Sequence, residues 1–127
     1  MKKYLFEKWM ISQQINTFGN YTSRINSIEL EYGDIDIEYD KDKCKSLLSL
    51  FNYTSEDKNN RILPKHNLLS TPVSGKELYQ SYYEGTKDFV SRINKYIEFR
   101  EYLEKEKIDA EDKINSKKSE ASFLKWF

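Results

Sequence analysis

With one cysteine and one histidine in 127 residues, the chain can form no intramolecular disulfide and no Cys/His zinc cluster. Two prolines and four glycines leave few obligatory breaks, and the glycines are scattered, which excludes a Gly-rich phosphate loop. Neither sign of charge is in excess. The 21 basic and 21 acidic residues cancel, so any contact with nucleic acid has to come from a local patch. No apolar run approaches the roughly 18 residues of a membrane span, and residues 1–4 lead into no signal-peptide apolar region. A cytoplasmic protein without membrane, metal or cofactor is expected.

What the chain does have is aromatic surface, including ten Tyr and seven Phe. Tyrosine buries its ring while keeping its hydroxyl wet, which suits a domain with a thin interior. The length fits one hydrophobic core. The clearest periodic stretch is 86–103, TKDFVSRINKYIEFREYL, in which Phe89, Val90, Ile93, Tyr96, Ile97 and Leu103 share one helical face. Thr86, just after Gly85, is the expected N-cap.

Ahead of it, residues 2–11 read as a short amphipathic helix with Leu5, Phe6, Trp9 and Met10 inward. Asn16 or Thr17 caps a second helix to about Tyr32, striped by Phe18, Tyr21, Ile25, Ile28 and Tyr32 and stopped by Gly33. Residues 34–39, DIDIEY, alternate like a strand, but no strand of comparable quality exists to pair with. An extended connector that tucks in Ile35 and Ile37 is therefore expected. Asp40 or Asp42 then caps a helix over 41–51 with Cys44, Leu47, Leu48 and Phe51 inward, which makes Cys44 a small buried hydrophobe.

The segment Thr54-Ser55-Glu56-Asp57 is suited to one helical turn. Residues 61–73 contain Pro64 and Pro72 and read as irregular, anchored by Ile62, Leu63, Leu68 and Leu69. Within it His66 has the polar neighbours Lys65 and Asn67 and reads as a solvated loop residue. The segment Ser74-Gly75-Lys76-Glu77 matches a capping box opening a short helix that Gly85 ends. Residues 104–118 are so charged that a solvated helix continuation or a linker is expected, before an apolar close at Phe123, Leu124, Trp126 and Phe127. The fold class is thus all-α. It is a compact bundle of five to six helices with a long irregular loop in the middle, divided into a helical domain (1–103) and an extension (104–127).

An internal echo adds to this. Ser23-Arg24-Ile25-Asn26 recurs as Ser91-Arg92-Ile93-Asn94, each preceded by an aromatic (Tyr21, Phe89) and followed by Ile-Glu (Ile28-Glu29, Ile97-Glu98). Two helices would then present the same aromatic–isoleucine inner edge and the same outward Arg and Asn. Reuse of a good packing solution is the structural explanation.

Catalytic patterns are thin. Asp34, Asp36 and Glu38 before Lys41, and Glu104-Lys105-Glu106-Lys107, nominally echo a nuclease's carboxylates and lysine, but a helical charge run offers no rigid edge for metal chemistry. No enzyme is expected.

Residues 16–29 (NTFGNYTSRINSIE), the connector 32–39 and residues 89–99 (FVSRINKYIEF) resemble a helical domain near the N-terminus of bacterial restriction endonucleases, similar to the core-binding domain of phage integrases. That family's first pattern falls on Thr17, Tyr21, Ser23, Ile25, Ile28 and Glu29. Its second falls on Phe89, Ser91, Ile93, Lys95, Tyr96, Ile97 and Phe99, with Phe89 replacing Tyr and Arg92 replacing Ala. The resemblance implies a DNA-associated module of restriction-modification, phage defence or recombination, with a nuclease domain further along the chain. Double-stranded DNA would meet Arg24, Asn26, Lys76, Tyr79, Tyr82, Lys87, Arg92 and Lys95, with phosphates at the basic side chains and at helix N-termini near Thr17, Ser74 and Thr86. Alternatively those charges pair with Glu29, Asp88 and Glu98. The competing class is a small phage or defence-system protein, such as an inhibitor, that binds a protein partner through Tyr79, Tyr82, Tyr83, Trp126 and Phe127.

Overall fold

The computed structural model describes residues 1–69 and 78–117, with side-chain surroundings for 1–69 and 78–106. The described residues form six helices and no strand: α1 (Lys3–Ser12), α2 (Phe18–Tyr32), α3 (Ile35–Asp42), α4 (Lys45–Ser49), α5 (Ser55–Asn59) and α6 (Leu78–Lys117). The protein is all-α. The Ser74 capping box, Lys76 and the apolar close at Trp126 and Phe127 lie outside the described residues.

Packing follows the apolar stripes. Phe6, Trp9 and Met10 of α1, Ile25 and Ile28 of α2, and Phe89, Ile93, Tyr96, Phe99 and Leu103 of α6 meet in one core. Its centre is aromatic: Phe6 meets Tyr96 edge-on at 4.9 Å and Phe99 at 5.2 Å, and Trp9 lies 5.8 Å from Phe99. Such pairs add about 0.5–1.5 kcal/mol each beyond their area burial, which helps a chain of modest apolar content secure its interior.

α2 ends where expected. Gly33 takes φ 95° and donates its N–H to the Glu29 carbonyl, a conformation that a Cβ would strain. The next segment departs from expectation, because 35–42 is a helix and not an extended connector. Asp34 accepts the Asp36 N–H at 2.8 Å, and that cap lets the backbone satisfy itself locally. Ile35 is buried as expected, whereas Ile37 turns outward at 63% exposure.

The helix expected over 41–51 is also broken. Lys43 and Cys44 take φ 57° and 67°, both left-handed, and the chain turns there before α4. The turn sends Cys44 and Leu47 inward, and burial pushes the Cys44 thiol up to about 12. Asp42 is the last residue of α3 and not the N-cap of α4, a position Cys44 holds, although its carboxylate accepts both the N–H and the hydroxyl of Ser46 in the first turn of α4. α5 is the short turn expected at Thr54, closed by reciprocal 3.0 Å bonds between Thr54 and Asp57.

Four expectations fail in α6 and the loop before it. Gly85 does not end a helix, and Thr86 caps none, because α6 runs unbroken through both. A Cβ at Gly85 would come within 2.5 Å of Leu69 Cδ2, so the glycine leaves room for that side chain of the preceding loop. In that loop Ile62 and Leu63 are half or more exposed and anchor nothing. Leu68 and Leu69 do pack against the core as expected, and with them sits His66, only 5% exposed, stacked on Phe51 at 4.6 Å and bonded to Thr86 Oγ1 at 2.7 Å. It is not a solvated residue.

Candidate nucleic-acid interface

The echoed segments lie against each other as α2 and α6. The Arg92 guanidinium sits over the Tyr21 ring at 4.2 Å, and that of Arg24 over the Phe89 ring at 5.9 Å. Ascending α2 from Tyr21 to Arg24 thus matches descending α6 from Arg92 to Phe89, the signature of antiparallel helices related by a local two-fold. Both arginines reach one acid. Arg24 Nε donates to Asp88 Oδ2 at 3.0 Å, and Arg92 Nη2 lies 3.1 Å from Asp88 Oδ1. Arg92 also donates to the Asn20 side-chain carbonyl from Nε and Nη2.

At about 100° per residue, Lys87, Ser91, Asn94, Lys95, Asp88 and Arg92 fall within about 160° of the α6 circumference, opposite the core-facing Phe89, Ile93 and Tyr96. On the side away from α2, this arc borders an open groove of about 530 Å³. The groove's other wall is Phe51, Asn52 and Tyr53, and Lys87, Ser91, Asn94, Lys95 and Glu98 line it from α6. Between positions 87 and 95 the arc carries Lys87, Arg92 and Lys95 against the single carboxylate of Asp88. Glu84 and Glu98 close this window at either end, and Lys95 pairs with Glu98 at 2.7 Å.

The expected site residues therefore separate. Arg24, Lys87, Arg92 and Lys95 share the outward arc and its α2 margin. Tyr79 and Tyr82 meet edge-on at 5.7 Å in the first turns of α6 and are half-buried. Asn26 lies elsewhere, on a hollow lined by Met1, Lys3, Glu7 and Thr22. Of the anticipated pairings, those at Asp88 and Glu98 form, while Glu29 pairs with the Met1 amino group at 2.6 Å.

Tyr83, expected only as an anchor for a protein partner, and Lys58, expected in no site, both belong near this face. The ammonium groups of Lys58 and Lys87 each lie 5.1 Å from the Tyr83 ring. The spacing Tyr79, Tyr83, Lys87 carries that signal in sequence; nothing local marks Lys58, which arrives by way of α5. The acids of the nominal nuclease pattern are engaged otherwise: Asp36 accepts from Arg100 and Tyr96, and Glu38 pairs with Lys41. Among the described residues no three His, Cys, Asp or Glu side chains gather to hold a metal ion, and no helix is long and apolar enough to cross a membrane. Compared with protein-family models, with curated proteins and with solved structures, the chain matches none.

Proposed function

We propose that this chain is a non-catalytic DNA-recognition module, of the kind that the resemblance to restriction and recombination proteins implies. The observation that carries the reading is the outer face of α6, where Lys87 and Lys95 border the groove and the largely buried Arg92 meets Arg24 around Asp88 at the α2 margin. A duplex backbone laid along this arc meets cations two helical turns apart, about 12 Å, with Ser91 and Asn94 between them as hydrogen-bonding groups. The acids at both ends keep the footprint short. Three or four phosphates are contacted, so the logarithm of the affinity should fall with the logarithm of salt with a slope of about −3.

The test is the electrophoretic mobility of a labelled duplex at 50 and 200 mM salt. Binding that weakens about 60-fold across that range, and about tenfold at fixed salt when Lys87 and Lys95 both become Ala, supports the reading. A competing reading has its own observation. Tyr79, Tyr82 and Tyr83 stay partly exposed in the first turns of α6, which favours a small phage or defence-system protein that acts on a protein partner. Absence of any shift at micromolar protein would support it over DNA.

A further inference from the structure

We infer that Arg24 and Arg92 form a seat for a phosphate group, kept closed by the chain's own Asp88. The inference rests on the DNA reading for its biological ligand, but the seat itself is a matter of local chemistry. Two guanidinium groups from different helices converge on the two oxygens of one carboxylate, at 3.0 and 3.1 Å. Two positive charges against one negative leave one unit uncompensated.

The unused hydrogen-bonding capacity is on the same side of the balance. Arg24 engages Asp88 through Nε alone, and its two Nη groups have no hydrogen-bond partner among the described residues. A carboxylate has two oxygens to share between two forks, whereas a phosphate presents more acceptors and more charge. A phosphate therefore satisfies both arginines where Asp88 satisfies them in part.

The seat also stays in place when Asp88 leaves it. Each arginine rests on an aromatic face of the opposite helix, Arg92 on Tyr21 and Arg24 on Phe89, and Arg92 is held further by Asn20. Asp88 makes no other hydrogen bond among the described residues, and its side chain is 32% exposed, so a change of rotamer releases it to water. The helix pair does not depend on it, because the fully buried Ile25, Ile28, Ile93 and Tyr96 pack the same seam. Asp88 thus occupies the place of an anionic ligand and lowers the affinity for one, which tunes the DNA contact at the α2 margin of the arc.

The experiment uses the whole chain with two probes, inorganic pyrophosphate and a labelled duplex, on Asp88→Asn, Arg24→Gln and the double variant. Asp88→Asn should bind both probes about three- to tenfold more tightly than the parent, and adding Arg24→Gln should abolish that gain. An Asp88→Asn protein that keeps its helical circular dichroism but binds neither probe more tightly overturns the seat. So does a gain that survives Arg24→Gln. Should Asp88→Asn fail to fold, Arg24→Gln with Asp88 retained decides: pyrophosphate binding must fall about threefold, and an unchanged value refutes the seat. Pyrophosphate binding that follows this pattern without any duplex binding leaves the seat standing and removes the DNA reading. Duplex binding that needs Lys87 and Lys95 but ignores Asp88 and Arg24 does the reverse.

Discussion

The two nitrogens of His66 have different partners, and together they fix its protonation. Nδ1 accepts the Leu68 N–H at 3.3 Å, so it carries no proton, and the neutral ring donates from Nε2 to Thr86 Oγ1 at 2.7 Å. Burial against Phe51 and Phe89 lowers its pKa below the usual histidine value. Protonation would turn Nδ1 into a donor facing another donor. Since the unfolded chain takes up this proton and the folded chain resists it, the stabilisation is full above the unfolded pKa, near 6.5, and is lost as pH falls below it. Between pH 7.5 and 5.5 the urea midpoint should drop, with stability falling by up to about 1.4 kcal/mol per pH unit in the acid part of that range. His66→Gln should show a flatter profile over the same interval; an equal slope in both proteins would contradict the assignment. None of this was readable locally. Lys65 and Asn67 mark the position as polar, and the rings that bury His66 come from positions 51 and 89.

At the scale of elements, agreement between sequence and structure follows the number of independent signals. α2 had a stripe, a plausible start and a glycine stop, and its limits are as expected. The segment DIDIEY had a strand-like alternation and no partner strand, and the expected connector is instead a helix because Asp34 caps it and a helix needs no partner. Gly85 misled for a related reason: glycine weakens a helix by about 1 kcal/mol, but here it clears space for Leu69, a contact set by tertiary packing. The break at Lys43 and Cys44 left no trace in sequence, because two non-glycine residues hold a left-handed conformation there. That strain yields a prediction. Lys43 is exposed, so Lys43→Gly should relieve its share without loss of packing and stabilise the protein by about 0.5–1 kcal/mol. Chemical denaturation measures it, and a destabilised variant would argue against the left-handed turn. At Cys44 the same change should destabilise, since the buried side chain is lost with the strain.

On the scale of the whole molecule, the start of α1, α3 and α6 are joined through one hydroxyl. Tyr96, fully buried on α6, accepts the Lys2 N–H at 2.8 Å and donates to Asp36 Oδ1 at 2.7 Å. Asp36 in turn receives Arg100, which also holds Asp40 and lies over the Tyr39 ring. Burial first, and the Asp36 carboxylate with it, raise the Tyr96 hydroxyl far above the usual tyrosine range, so it remains a donor at any pH at which the fold survives. The periodicity of α6 placed Tyr96 in the core, but only the assembled α1, α3 and α6 bring a backbone donor and a carboxylate to its tip. Tyr96→Phe keeps the ring that packs on Phe6 and Phe99 while stranding the Lys2 N–H and removing a partner from Asp36. The expected cost is about 1–3 kcal/mol, the penalty for unpaired polar groups, well below the 3–5 kcal/mol of deleting the neighbouring Phe99 ring. Amide exchange at Lys2 should accelerate more than at residues of α2, because the lost bond pins the N-terminal helix specifically. Uniform acceleration throughout the chain would mean that the hydroxyl contributes to global stability alone and does not dock α1.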